Sequence, residues 1–204
     1  MVFKFWKALA PLALVAAAAC SSGPQPADES AYVQDIVEGR AARDQAYRVD
    51  PDPIPPEKRD VLLPLRYYAP DPGYSVPAAL QLTDDRPVVE MPTSTGTLRR
   101  MQRVGILEFT LQGKSMSLAA FVPEGTERIE SLFVPFADVT TGKETYSAGR
   151  YLDLNPTGTG IYTIDFNLAY NPTCAYNQKY DCPYPPPSNR LKVAILAGEK
   201  APGV

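Results

Sequence analysis

Seven polar residues in the second half of the chain are the candidates for chemistry: Asp138, Tyr146, Arg150, Asp165, Asn167, Arg190 and Glu199. They fall in the stretches FADVTTGKETYSAGRYLDL, DFNLAYNPTCAY and SNRLKVAILAGEK. A guanidinium fork suits carboxylate or phosphate geometry, so Arg150 beside Asp138 and Tyr146 would hold an anion. Paired carboxylates drawn from Asp138, Asp165 and Glu199 would instead supply acid and base to a hydrolase. For a glycan substrate they would have to stand about 5 Å or 6.5–9.5 Å apart. The same residues also have plainer uses. Thr140, Thr141 and the glycines at 142 and 149 make a polar hairpin, and Asp165 and Asn167 pin a loop through backbone hydrogen bonds. Arg190 and Glu199 would bracket the same rim, as a ligand site or as an ion-pair network.

The chain has 204 residues and no histidine. A Ser-His-Asp or Cys-His nucleophile, a histidine-ligated zinc and a histidine general base are therefore excluded within it. Neither a glycine-rich phosphate loop nor a metal-ligand set appears, so no cofactor and no metal are expected.

These side chains need a scaffold, and the composition predicts one of short strands. Twenty-two prolines and thirteen glycines separate apolar runs, which favours turns over long helices. From Leu62 onward nine runs rich in branched and aromatic residues follow, from LLPLRYY through GILEFTLQ and KSMSLAAFV to LKVAILAG. Leu107, Phe109 and Leu111 alternate with Glu108, Thr110 and Gln112, giving one buried and one wet face, and Gln112-Gly113-Lys114 marks a hairpin. The fold class expected is mainly β: an antiparallel barrel or sandwich of about eight or nine strands. Ahead of it, residues 31–48 carry Tyr32, Val33, Ile36, Val37, Ala41 and Tyr47 near helical spacing, with Ser30 as N-cap. Arg40, Arg43 and Asp44 fall on the opposite, solvated or ion-paired face. Residues 49–61, VDPDPIPPEKRD with its neighbours, read as a proline-rich linker, and residues 62–200 form the β domain.

The N-terminus has its own logic. Lys4 and Lys7 precede an apolar run from Ala8 to Ala19, the length of a secretory h-region and short of the ~20 residues that span a bilayer. The run ends in LVAAAAC and resembles a bacterial lipoprotein signal peptide. An ordinary secretory leader cut near Ala19 is the alternative. The resemblance implies a signal peptide over 1–19, acylation at Cys20, a flexible tether over 20–30, and an anchored protein of the bacterial cell envelope. Ser21 then permits the periplasmic side of the outer membrane. Removing Lys4 and Lys7 leaves 18 basic against 23 acidic residues and moves the charge from −3 to −5, which disfavours nucleic acid.

With Cys20 acylated, only Cys174 and Cys182 remain. Seven residues separate them, outside the C-x₂₋₄-C spacing of zinc sites. In an oxidising compartment they pair as a disulfide; a metal-bound or reactive thiol is the alternative.

Three blocks over residues 136–200 carry a wider resemblance: FADVTTGKETYSAGRYL, DFNLAYNPTCAY, and CPYPPPSNRL with AGEK. They are similar to the DUF1684 family, whose members share D-x-T-[ST]-G-x-x-T-Y-x-x-G-R-[YF]-L, D-F-N-x-A-Y-N-P-x-C-A-[YF] and C-P-x-P-P-x-N-R-L…A-G-E-K. GRAARD, at residues 39–44, stands where the family has W-R-x-x-R, without the tryptophan. The family implies no established activity. The functional expectation is an envelope lipoprotein with a binding or structural β module, presenting a polar rim to a small ligand or an envelope protein. The alternative is a carboxylate-based hydrolase.

Overall fold

The computed structural model describes Met1, residues 29–50 and residues 52–203. The expected signal peptide, Cys20 and nearly all of the tether lie outside the described residues.

Helix α1 spans Glu29–Val49, with acidic Glu29 in its first turn and basic Arg48 in its last, charges that complement the helix dipole. Tyr32, Ile36, Arg40, Arg43 and Tyr47 recur every three or four residues and share one face. That face meets the β domain. The arginines expected on the opposite, solvated or ion-paired face therefore turn inward: Arg40 donates to the Tyr68 and Asn167 carbonyls at 2.8 and 3.2 Å, and Arg43 pairs with Glu199 at 3.6 Å. Asp44 accepts from the Leu65 amide at 3.0 Å. Ile36 is the one fully buried side chain of the helix, so polar contacts hold it down.

The proline-rich segment after α1 is more than a linker. It holds a 3-10 turn, Pro56–Lys58, and a one-turn helix α2, Arg59–Leu62. Ile54 is completely buried against Leu63, Leu65 and Tyr176.

Seven strands follow: β1 Ser75–Leu82, β2 Val88–Pro92, β3 Leu98–Leu111, β4 Lys114–Pro123, β5 Leu132–Phe136, β6 Arg150–Leu154 and β7 Ile161–Asp165. All pairings are antiparallel, in the order β6-β5-β4-β3-β1-β7. The sheet curls until its edge strands β6 and β7 approach each other. The fold is thus mainly antiparallel β with one N-terminal helix, as expected.

β3 organises the sheet. Its N-terminal half pairs with β2, its C-terminal half with β1, and β4 runs along its other side. The change of partner occurs at a register shift between Arg103 and Gly105. A Cβ at Gly105 would lie 2.3 Å from the Gln81 carbonyl oxygen, so only glycine lets β1 come this close. The β3–β4 hairpin turns at Gln112 and Gly113, both with positive φ (51° and 74°), the backbone twist that two-residue hairpins require. The inner face buries Leu107, Phe109, Leu118, Val134, Phe136, Ile164 and Phe166. A second cluster, Met91, Met101, Ala119 and Phe121, fills the opposite face. Asn189 bridges strands there, bonding Ala119 through both its amide and its carbonyl at 2.9 Å and the Pro135 carbonyl at 2.8 Å.

Two of the nine expected strands are not strands. In LLPLRYY, Leu62 closes α2 and Pro64 lacks the amide hydrogen a ladder needs, leaving one isolated bridge, Tyr67 to Glu199. In LKVAILAG, the carbonyls of Ile195 and Ala197 face inward to an arginine rather than sideways to a neighbour strand.

Candidate functional site

That arginine is Arg150, 1% exposed at the start of β6. Its Nη2 donates to Asp138 Oδ2 at 2.8 Å and to the Ile195 carbonyl at 3.0 Å. Its Nη1 donates to the Ala197 carbonyl, and to the Glu199 carbonyl at 3.3 Å. Phe136 lies beneath the guanidinium at 5.2 Å. Asp138 also accepts from Thr140, from its amide at 2.7 Å and its hydroxyl at 2.6 Å. The anion fork expected on the rim is therefore corrected: the pair is enclosed, and it gathers the protein's own carbonyls.

Asp165 and Asn167 are buried as well. Asp165 caps the 3-10 turn Phe166–Leu168 through the Asn167 amide at 2.9 Å, and its other oxygen accepts from Tyr32 of α1 at 2.7 Å. Asn167 clamps Asp71 with bonds of 2.8 and 2.9 Å to its carbonyl and amide. The loop-pinning use is the one observed, with α1 as an added client.

Glu199, 1% exposed, accepts from the Asn171 amide at 3.0 Å, the Asn171 side chain at 2.8 Å and the Tyr176 hydroxyl, and Arg43 stands 3.6 Å away. Burial pushes its carboxyl from the ordinary 4.5 up to about 7, with Arg43 opposing the rise. The charged Arg190 is exposed, away from this nest, with only its backbone bridged to Ala137. A single rim uniting Arg150, Asp165, Arg190 and Glu199 is not what the fold builds.

Tyr146 is half-buried with its hydroxyl 4.0 Å from Cys174 Sγ. Cys174 and Cys182 are free, buried thiols in this structure, and the Cys174 amide donates to Cys182 Sγ at 3.1 Å. Hydrogen bonding from Cys182 pulls the Cys174 thiol down to about 6 and, reciprocally, pushes Cys182 up. The disulfide expected from the sequence is thus not formed here, although the two sulfurs adjoin. Among the described residues no three of His, Cys, Asp and Glu gather as a metal site.

The most capable concavity lies elsewhere. A groove of about 790 Å³ runs between the β3, β5 and β6 face and the 170–183 loop, within the range typical of small-molecule sites. Half-buried Phe133 packs edge-on against Tyr151 at 4.7 Å, and Tyr151 against Tyr170 at 5.8 Å, forming an aromatic wall. Arg99, Arg100 and Lys179 line its sides. Arg99 meets half-buried Asp181, its carboxylate at 3.2 Å and its carbonyl at 2.8 Å, while Arg100 and Lys179 meet exposed carboxylates: Glu124 at 2.6 Å with Glu90 at 3.1 Å, and Asp52 at 2.7 Å. Arg100 is gripped by a two-point fork on Glu124, Nε at 2.6 Å and Nη2 at 2.8 Å, whereas the single-contact, solvated Lys179 pair is weak enough for an incoming anion to exchange for it. Sequence reasoning missed Arg99, Arg100, Phe133 and Lys179. Only the paired arginines in LRRM hinted at the groove, which long-range packing assembles.

Comparison with known proteins agrees with this architecture. The fold is similar to the solution NMR structure of an uncharacterized protein from gene locus rrnAC0354 of Haloarcula marismortui. The two are 38% identical with a TM-score of 0.66, over 85% of this chain and 96% of that one. The model of the family described as "Protein of unknown function (DUF1684)" matches residues 63–200. The chain belongs to the DUF1684 family. No curated protein matches it.

The Glu199 nest yields a prediction. A carboxyl raised in the fold from 4.5 to about 7 stabilises the protein while protonated. That contribution is present below pH 4.5 and lost as pH rises through about 7; at roughly 1.4 kcal/mol per pH unit it is worth about 3 kcal/mol. Urea unfolding of wild type and Glu199→Gln across pH 4–8 should show wild type losing stability relative to the variant over that interval. A constant difference would refute the assignment.

Proposed function

We propose that this chain is an envelope-tethered binding module whose β domain takes a small anionic, ring-bearing ligand in the Phe133 groove. The observation that carries the proposal is the aromatic wall flanked by three cations, Arg99, Arg100 and Lys179, whose side chains reach the groove from the protein surface. A ring stacks on Phe133 while a guanidinium fork takes its carboxylate or phosphate. Binding is favoured over hydrolysis because Asp138, Asp165 and Glu199 are all buried and held by protein donors. Asp181, the carboxylate lining the groove, accepts from the Thr95 and Thr97 hydroxyls at 2.6 and 3.2 Å, and the hydroxyls of Thr93, then Thr95 and Thr97, hold it down at about 2.

The proposed setting is a membrane surface, reached through an acyl anchor at Cys20 and the SSGPQPADES tether. In that compartment the Cys174 and Cys182 thiols would pass two electrons and two protons to a dithiol-disulfide oxidant and form one S–S bond. The product would staple the loop that walls the groove. Intact-mass analysis of chain extracted from the membrane fraction should show an acylated N-terminal Cys20 and, after reduction, a gain of two hydrogens. An unmodified Cys20 would remove the anchor, and two thiols alkylatable without reduction would remove the staple.

The groove itself is tested by calorimetric titration with a panel of acidic monosaccharides and their phosphates. At least one should bind, and Phe133→Ala should weaken it about tenfold or more, as loss of a buried aromatic anchor does. Silence across the panel, or equal affinity for the variant, would rule out the groove as the site.

A further inference from the structure

Beneath α1 lies a second, smaller cavity of about 180 Å³, bounded by Arg40, Arg43, Gly39, Tyr67 and Asn167, with exposed Asp35 at its edge. Two donors there are shut from solvent and have no hydrogen-bond partner: Arg40 Nε and the Tyr67 hydroxyl. Arg40 is stacked over the Tyr67 ring at 4.4 Å, and its two Nη atoms are bonded to neutral carbonyls. Among the described residues it makes no ion pair; the ion pair on this side of the fold joins Arg43 to Glu199.

A half-buried cation without an ion-pair partner and an orphaned buried hydroxyl both cost free energy. Desolvation accordingly draws the Arg40 guanidinium below its ordinary range, with Asp165 and Glu199 opposing the fall through space. Neither carboxylate bonds to it. Asp165 is engaged by Tyr32 and Asn167, and Glu199 by Asn171, Tyr176 and Arg43. Water would satisfy the two donors and leave the charge. An oxyanion satisfies both.

We infer that the cavity under α1 is a binding site for a small oxyanion, of carboxylate or phosphate type, held by Arg40 Nε and the Tyr67 hydroxyl. It is separate from the Phe133 groove. Because α1 is fastened by polar contacts as well as by Ile36 and Tyr47, an anion seated between Arg40 and Tyr67 also strengthens the docking of the helix.

The test is calorimetric titration of the full chain with sodium phosphate and with sodium acetate, against sodium chloride at matched ionic strength. Wild type should bind one of the two oxyanions saturably. Tyr67→Phe deletes a hydroxyl that has no partner in the protein and so leaves the fold intact. It should weaken binding by about tenfold, the usual consequence of losing a hydrogen bond to a charged group. Arg40→Lys keeps the charge, loses Nε and should weaken it likewise. Phe133→Ala should bind as wild type, which separates this site from the groove. Absence of saturable binding, or wild-type affinity in Tyr67→Phe, would overturn the inference, and so would loss of binding in Phe133→Ala.

Discussion

The buried pair of Arg150 and Asp138 is the contact on which the other parts of the molecule lean. A guanidinium taken wholly out of water is tolerable only if its charge is met and most of its donors are used. Here Asp138 meets the charge, three carbonyls from residues 195–199 take further bonds, and Nε is left without a partner. That demand shapes the C-terminal segment, which bends across the end of the sheet instead of joining it. Gly198 makes the passage possible: its φ is +76°, and a Cβ there would lie 2.5 Å from the Phe166 carbonyl oxygen. The bend then delivers Glu199 to Asn171, Tyr176 and Arg43. Through Arg43, the ion pair on β6 is linked to α1.

This chain of contacts divides the molecule's charge by purpose. Charges with the highest desolvation cost, at Asp138, Arg150 and Glu199, are enclosed and committed to architecture. The cations at the groove stand on exposed stretches of β3 and the 170–183 loop, in contact with solvent and paired to surface carboxylates. Recognition is therefore placed on surface side chains. The aromatic wall behind them is rigid because Tyr151 donates to the Pro183 carbonyl at 2.6 Å and Tyr170 to Asp153 at 2.5 Å.

Legibility in the sequence followed the range of the interactions. The β3–β4 hairpin could be read because alternation at Leu107, Phe109 and Leu111 and the Gln112-Gly113 turn are local signals. LKVAILAG read as a strand because its apolar run is also local, while the competitor for its carbonyls lies some 45 residues earlier, at Arg150. Helical spacing puts Arg40 and Arg43 on a solvated or ion-paired face opposite the apolar residues, and the Arg43–Glu199 pair is of the second kind. What turns them inward is a set of acceptors on Tyr68, Asn167 and Glu199 that no helical periodicity encodes. The pinning use of Asp165 and Asn167 was legible because an Asx turn is a short-range device. The groove was not, since its wall joins residues 99, 133 and 170–183.

The central claim is that Arg150 serves the fold and not a ligand. Its most direct test is equilibrium urea unfolding of Arg150→Met beside wild type, without any added ligand. Removing one partner of a buried, hydrogen-bonded ion pair should cost about 3–5 kcal/mol, because Asp138 and the carbonyls of 195–199 lose their donor. A change within about 0.5 kcal/mol, the range of ordinary surface substitutions, would contradict the account.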